Sequence, residues 1–289
     1  MQWHHVYDAD RGSRRTSAFG APLRRRCAAF KQPLGTARPV GVRAPRQARS
    51  RASADRPALL LLGTPRLRHL GGVTDLPLAR WVALLAYLAR GGGWVRREVL
   101  AALFWPEHDD HGASLNLRQT LQTIVRSAAG VALEREATRV RWTGSSDVEA
   151  FDALVRDQAW AAAVSAYGGV FLDGLNVPDV PNVQEWIDAE RSGLHARWRT
   201  GALAMGRSYL NEGRCFDLLA LAERLCRSDP FDEEALRLML RAAVGCGDRK
   251  RAERTLATAC SLFERELGVA PEADTLALAD ELGVGGQRG

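Results

Sequence analysis

The sequence predicts a mainly α-helical protein in two folded parts: a small mixed α+β domain over residues 58–145, then an all-α helical repeat over residues 146–282. Three observations carry this. Short strand-like runs broken by Gly and Pro open the first part, and a hairpin-like pair of runs closes it. Between them lie three segments whose apolar residues recur at the helical period. In the second part Gly213 and Gly247 stand 34 residues apart, each leading into a new helical segment.

The strand-like runs are ALLLLG (58–63), PRLRHL (65–70) and VTDLPL (73–78), separated by Gly-Thr and Gly-Gly. They suggest a small antiparallel sheet. LARWVALLAYLARGGG then sets Trp81, Leu84, Leu85 and Leu88 on one helical face, with Gly91 as the expected stop. WVRREVLAALFWP repeats the pattern with Val99, Leu100, Leu103 and Phe104, ended by Pro106. In HGASLNLRQTLQTIVRSAAG (111–130), Leu117, Leu121, Ile124 and Val125 form the expected buried stripe. Ser114, Arg118, Gln119, Gln122, Thr123 and Arg126 are left outside. VALERE and TRVRW read as two strands around Ala137, with Val140 and Trp142 alternating against Arg139 and Arg141.

This order of sheet, three helices and hairpin is that of a winged helix-turn-helix, in which the third helix lies in the major groove. There Arg can pair bidentately with guanine and Gln with adenine. The hairpin arginines, Arg139 and Arg141, become phosphate candidates, as do Arg96 and Arg97 ahead of the second helix. The competing reading of the Arg/Gln face is the solvated side of an ordinary amphipathic helix.

In the second part a tetratricopeptide register places Gly206, Tyr209, Gly213, Asp229 and Pro230 in one repeat, and Leu236, Gly247, Ala252 and Ala259 in the next. Leu218 stands where that pattern wants Ala, and Leu240 where it wants a small residue. Met205, Tyr209, Leu219, Leu225, Met239 and Leu262 are expected in the core, and helix pairs of this kind leave a concave surface for a protein partner.

Charge divides unevenly along the chain. The net +6 of the 289 residues conceals a segment, 1–57, with 12 Arg and one Lys against three Asp, so that residues 58–289 sum to −4. The segment is rich in Arg, Ala, Ser and Pro and lacks periodicity, so it is expected to be a disordered basic tail. A DNA-holding arm, a targeting peptide and sequence ahead of the functional start are all open for it. Residues 283–289 read as a flexible end.

Five Cys without paired spacing argue against a secreted disulfide framework and for packing rather than thiol chemistry. No apolar run reaches membrane-spanning length. No GxxxxGK[ST] or nucleophile-elbow pattern occurs, and no cofactor is expected. His108 and His111, among Glu107, Asp109 and Asp110, fit no standard metal spacing, so no metal site is expected and the chain reads as a non-enzyme.

LARWVALLAYLARGGGWVRREVLAALFWPE with ASLNLRQTLQTIV resembles the DNA-binding domain of the SARP family, the antibiotic regulatory proteins of bacteria. AYLA, REVLAALFWP and NLRQ match it most closely. YGGVFLDGL, EWIDAERSGL and the run from DPFDEEALRLML to PEADT look like the bacterial transcriptional activation domain that follows. The resemblance implies an OmpR-like winged helix, a cytoplasmic, nucleoid-associated activator binding direct repeats in double-stranded DNA as a homodimer, and RNA polymerase as a partner without any membrane. It adds Asn116 to the base-reading set. An adaptor whose winged helix has lost DNA binding is the alternative function.

Residues 58–155 hold 11 Lys and Arg against 10 Asp and Glu. So small an excess predicts weak, salt-sensitive binding by a monomer.

Overall fold

The computed structural model describes residues 56–285. The expected basic tail, all but its last two residues, lies outside them, as do Cys27 and residues 286–289. The fold is mainly helical, as expected. Strands β1 (Ala58–Leu60), β2 (Arg66–His69) and β3 (Gly72–Asp75) open it. Helices α1 (Arg80–Gly91), α2 (Arg97–Phe104) and α3 (Asp110–Arg126) follow, with the two-residue strand β4 (Val95–Arg96) between α1 and α2. After a 3-10 turn at Ala128–Ala132 come β5 (Leu133–Arg135), β6 (Arg139–Trp142) and β7 (Ser145–Ser146).

Two sheets bracket the three helices. In the first, ordered β3-β2-β1-β7, Leu59 faces Leu67 antiparallel on one side and Ser146 parallel on the other. In the second, ordered β4-β6-β5, Val140 is paired with Val95 and Trp142 with Leu133. The runs 58–63, 65–70 and 73–78 therefore hold the predicted antiparallel strands. β4 and β7, of two residues each, escape a reading by periodicity.

Leu84, Leu85 and Leu88 of α1 are fully buried and Trp81 is half-buried. The helix runs one residue past the expected stop and is closed by Gly92 in the left-handed region (φ 61°). α2 buries Leu100, Ala101 and Phe104, but Val99 is 40% exposed, contrary to expectation, because the buried stripe of this short helix is centred on Leu100 and Phe104. Asp109 caps α3, its carboxylate accepting from the Gly112 N–H at 2.8 Å. Ala113, Leu117, Leu121 and Ile124 form the buried stripe of α3, while Val125 turns outward.

The rest is helical: α4 (Asp147–Arg156), α5 (Trp160–Ala166), α6 (Pro181–Asn211), α7 (Cys215–Ser228), α8 (Glu233–Gly245), α9 (Arg249–Leu267) and α10 (Ala273–Glu281). α7 packs between α6 and α8, and both α9 and α10 pack on α8. Gly213 (φ 70°) and Gly247 (φ 80°) make the same left-handed turn, two residues before α7 and α9 respectively. The 34-residue period is thus a repeated piece of backbone. Leu225 and Met239 are buried; Met205, Tyr209 and Leu219 are half-buried against the same core.

One hydrophobic cluster runs from Leu59 through the three N-terminal helices to Met239 and Ala242, and all described residues fall in one compact unit. Several contacts tie the two sequence parts. The Asp147 carboxylate, at the start of α4, accepts from the N–H groups of Leu61 (2.8 Å) and Leu62 (3.0 Å). Burial raises its pKa against the opposing pull of those N–H groups. Leu62 bridges Phe171, and the Leu172 N–H donates to the Leu61 carbonyl (2.8 Å). The Trp186 ring stands edge-on to Tyr87 (5.2 Å) and Phe171 (5.9 Å). Arg90 of α1 pairs with Asp152 of α4 (2.7 Å) and Glu190 of α6 (2.8 Å). Arg191 donates to the carbonyls of Phe171, Leu172 and Leu175.

Candidate nucleic-acid interface

The buried stripe of α3 faces α1 and α2, so its opposite side is open. Ser114, Arg118, Gln119, Gln122, Thr123 and Arg126 are all exposed there, as the periodicity predicted. Asn116 is half-buried on the flank of the helix. The Thr123 hydroxyl donates to the Gln119 carbonyl at 3.2 Å, which commits it to the helix itself. Leu115, which the sequence reading passed over, lies on the same open side and is 46% exposed.

The start of α2, the first half of α3 and the β5–β6 hairpin enclose a cleft of about 230 Å³, lined by Arg97, Glu98, Ser114, Arg118, Ala137 and Thr138. β4 sets this geometry by pairing Arg96 with Arg139, and the Arg97 N–H donates to the Thr138 carbonyl at 2.8 Å. Arg97, Arg118 and Arg135 converge on this region, and none of them takes part in an ion pair with another described residue. The Arg97 Nε is buried without a hydrogen-bond partner. Burial first, then the charges of Arg135 and Arg118, hold its guanidinium below the ordinary arginine value. Glu98 lines the same cleft but forms an ion pair with none of the three arginines, so the site is net positive and suited to an anion.

Arg139 and Arg141 are placed differently. Arg139 pairs with Glu136 (2.6 Å) and Arg141 with Glu134 (2.6 Å), and both guanidinium groups lie 4.6 Å from the Trp94 ring. Their exposure matches the strand alternation, but their charge is partnered on the hairpin. Arg96 is exposed. Arg135 and Trp94 were not read from the sequence as part of this surface. Trp94 immediately precedes β4, a strand of two residues with no legible period, and Arg135 is placed by its pairing with Val140 across β5 and β6.

Elsewhere, a groove of about 620 Å³ runs between α7, α8 and α9, lined among others by Leu236, Arg251, Thr258 and Leu262. The cysteines at 215, 226, 246 and 260 are free and half-buried, and burial pushes the Cys226 thiol up to about 11. At that value the reactive thiolate is scarce at neutral pH. Asp109, between His108 and the helical His111, is spent as the cap of α3, and His108 sits 3.1 Å from Glu107. Among the described residues no group of three His, Cys, Asp or Glu converges as a metal site, and no helix is long and apolar enough to cross a membrane.

A family model described as the bacterial transcriptional activator domain matches residues 138–282, half of the chain. Among solved structures, the chain resembles that of Mycobacterium tuberculosis EmbR in complex with a low affinity phosphopeptide, at 19% identity and a TM-score of 0.56. The match covers 78% of this chain and 65% of that one, so the chain spans just under two thirds of the EmbR structure. At that identity the likeness is one of fold. No curated protein matches the chain.

Proposed function

The chain belongs to the family of the bacterial transcriptional activator domain, and from that premise we propose that it is a DNA-binding transcriptional activator of the SARP type. In this reading residues 58–145 are an OmpR-like winged helix-turn-helix whose helix α3 enters the major groove. Residues 146–282 are the helical activation domain, which supports a homodimer on direct repeats and engages RNA polymerase. The cytoplasm, at the nucleoid, is the proposed place of action, and the role is binding rather than catalysis.

The observation that carries the reading is the convergence of Arg97, Arg118 and Arg135, without carboxylate partners, beside the open Arg/Gln face of α3. A phosphodiester would relieve their mutual repulsion and release its counterions. Arg118, Gln119, Gln122 and Arg126 are the proposed base readers, with Ser114, Asn116 and Thr123 as contributors at the margins of the face. Arg96 and Arg97 take phosphates directly. Arg139 and Arg141 join them only by exchanging their glutamate partners for phosphate.

The test is selection of fragmented genomic DNA by the full chain and by its Arg118→Ala variant at one fixed salt concentration. The native chain should enrich promoter fragments sharing a direct repeat. The variant should lose about 10-fold or more of its preference for them over unrelated DNA, the cost of one bidentate base contact. Folded native protein that enriches nothing overturns the activator reading and leaves the adaptor, with the α7–α9 groove as its working surface.

A further inference from the structure

α3 exposes two large apolar side chains, Val125 in its last turn and Leu115 in its second. Leu115 is separated by nine residues, about two and a half turns, from the fully buried Ile124, so the two project from opposite sides of the helix. Arg118 and Gln119 follow Leu115 at i+3 and i+4, and Gln122 at i+7, so these side chains surround it on one face. A lone exposed leucine is ordinary on any protein surface. This one stands among hydrogen-bonding side chains in the N-terminal half of the helix, the part that reaches base edges when such a helix enters a major groove.

We infer that Leu115 reads the 5-methyl group of a thymine. The inference rests on the reading of α3 as a DNA-reading helix. Its chemistry is that of complementarity. The thymine methyl is the apolar group that a base pair presents in the major groove, whereas cytosine and adenine present amino donors that leucine would leave unpaired. Burying one methyl group against Leu115 is worth about a fourfold change in affinity.

The experiment uses the full chain and a duplex that it selects from genomic fragments, with each thymine replaced in turn by deoxyuridine, which removes only the methyl. At one thymine in each half-site the native chain should bind about fourfold more weakly to the uracil duplex. Leu115→Ala should bind the thymine duplex more weakly and be indifferent to uracil at that position, whereas Leu115→Met should keep the discrimination. Alanine and methionine are both good helix formers, so circular dichroism should show α3 retained, and the uracil scan of the native chain needs no variant. A native chain indifferent to uracil throughout, a selected site with no shared thymine, or a Leu115→Ala protein still sensitive to uracil overturns the inference while leaving DNA reading by α3 in place. Selection that returns no duplex overturns both.

Discussion

Five of the arginines around the hairpin fall into two electrostatic classes. Arg139 and Arg141 are paired with Glu136 and Glu134 and lie over Trp94, so binding a phosphate would require them to give up a partner. Arg97, Arg118 and Arg135 have no such partner to lose. Because each cation that neutralises a phosphate releases counterions, the classes separate in the salt dependence of binding. Arg97→Gln and Arg135→Gln should each lower the slope of log K against log salt by about 1, whereas Arg139→Gln should change it much less. A titration of the native chain and the three variants on one duplex, over about 50–200 mM salt, makes the comparison. Equal losses from all three would mean that the hairpin pairs open on DNA. Strand alternation around Val140 made the exposure of Arg139 and Arg141 legible in the sequence. Their neutralisation was not, because the Glu134–Arg141 pair follows from the register of β5 on β6.

At the scale of the element, the helical repeat was legible because its period is written in glycine. Gly213 and Gly247 have positive φ, and nothing crowds the place where a Cβ would stand, so alanine there meets backbone strain alone. Gly213→Ala and Gly247→Ala should each cost about 1 kcal/mol, with a coupling between them in the double variant because Cys215, just after the first turn, lies against Gly245 and Cys246, just before the second. Urea unfolding of the three proteins checks this. A cost near zero at either position would remove that turn from the repeat.

The two departures from the tetratricopeptide pattern turn out to be one. In the first repeat a Cβ on Gly206 would come 3.5 Å from Leu218, and 34 residues later Leu240 shares a cluster with Ala252. Large and small have changed places between the facing helices, which conserves volume. Pattern matching scores residues singly and so counts two misfits. The outward turn of Val99 and Val125 was equally hidden, since which edge of an apolar stripe is buried depends on the neighbouring helix.

For the molecule as a whole, the sequence suggested two parts, and the structure runs one core through them. Much of what ties them comes from the stretches YGGVFLDGL and EWIDAERSGL. Phe171 bridges Leu62, Trp186 packs on Tyr87, Glu190 holds Arg90, and Arg191 binds the carbonyls of the intervening loop. Their role was illegible because each acts on a partner about 100 residues away or through a loop without period. A shared core of this kind should unfold as one unit. Heating residues 56–285 within the full chain should give a single cooperative transition by circular dichroism and by tryptophan fluorescence. Arg90→Ala, which strands Glu190 and weakens the hold on Asp152, should lower it by about 2–4 kcal/mol without splitting it. Two separated transitions would show the halves to be energetically independent.

The clasp on β1 has a practical corollary. A fragment ended at residue 145 would keep every proposed base reader yet lose Asp147 from the backbone of Leu61 and Leu62, Phe171 from its bridge, and Ser146 from the edge of the first sheet. The proposed reading head is therefore not a cartridge that can be lifted out and plugged onto another effector. A chimera that preserves its footing must take the graft point beyond Arg191, carrying the loop and the first third of α6 along with residues 58–145.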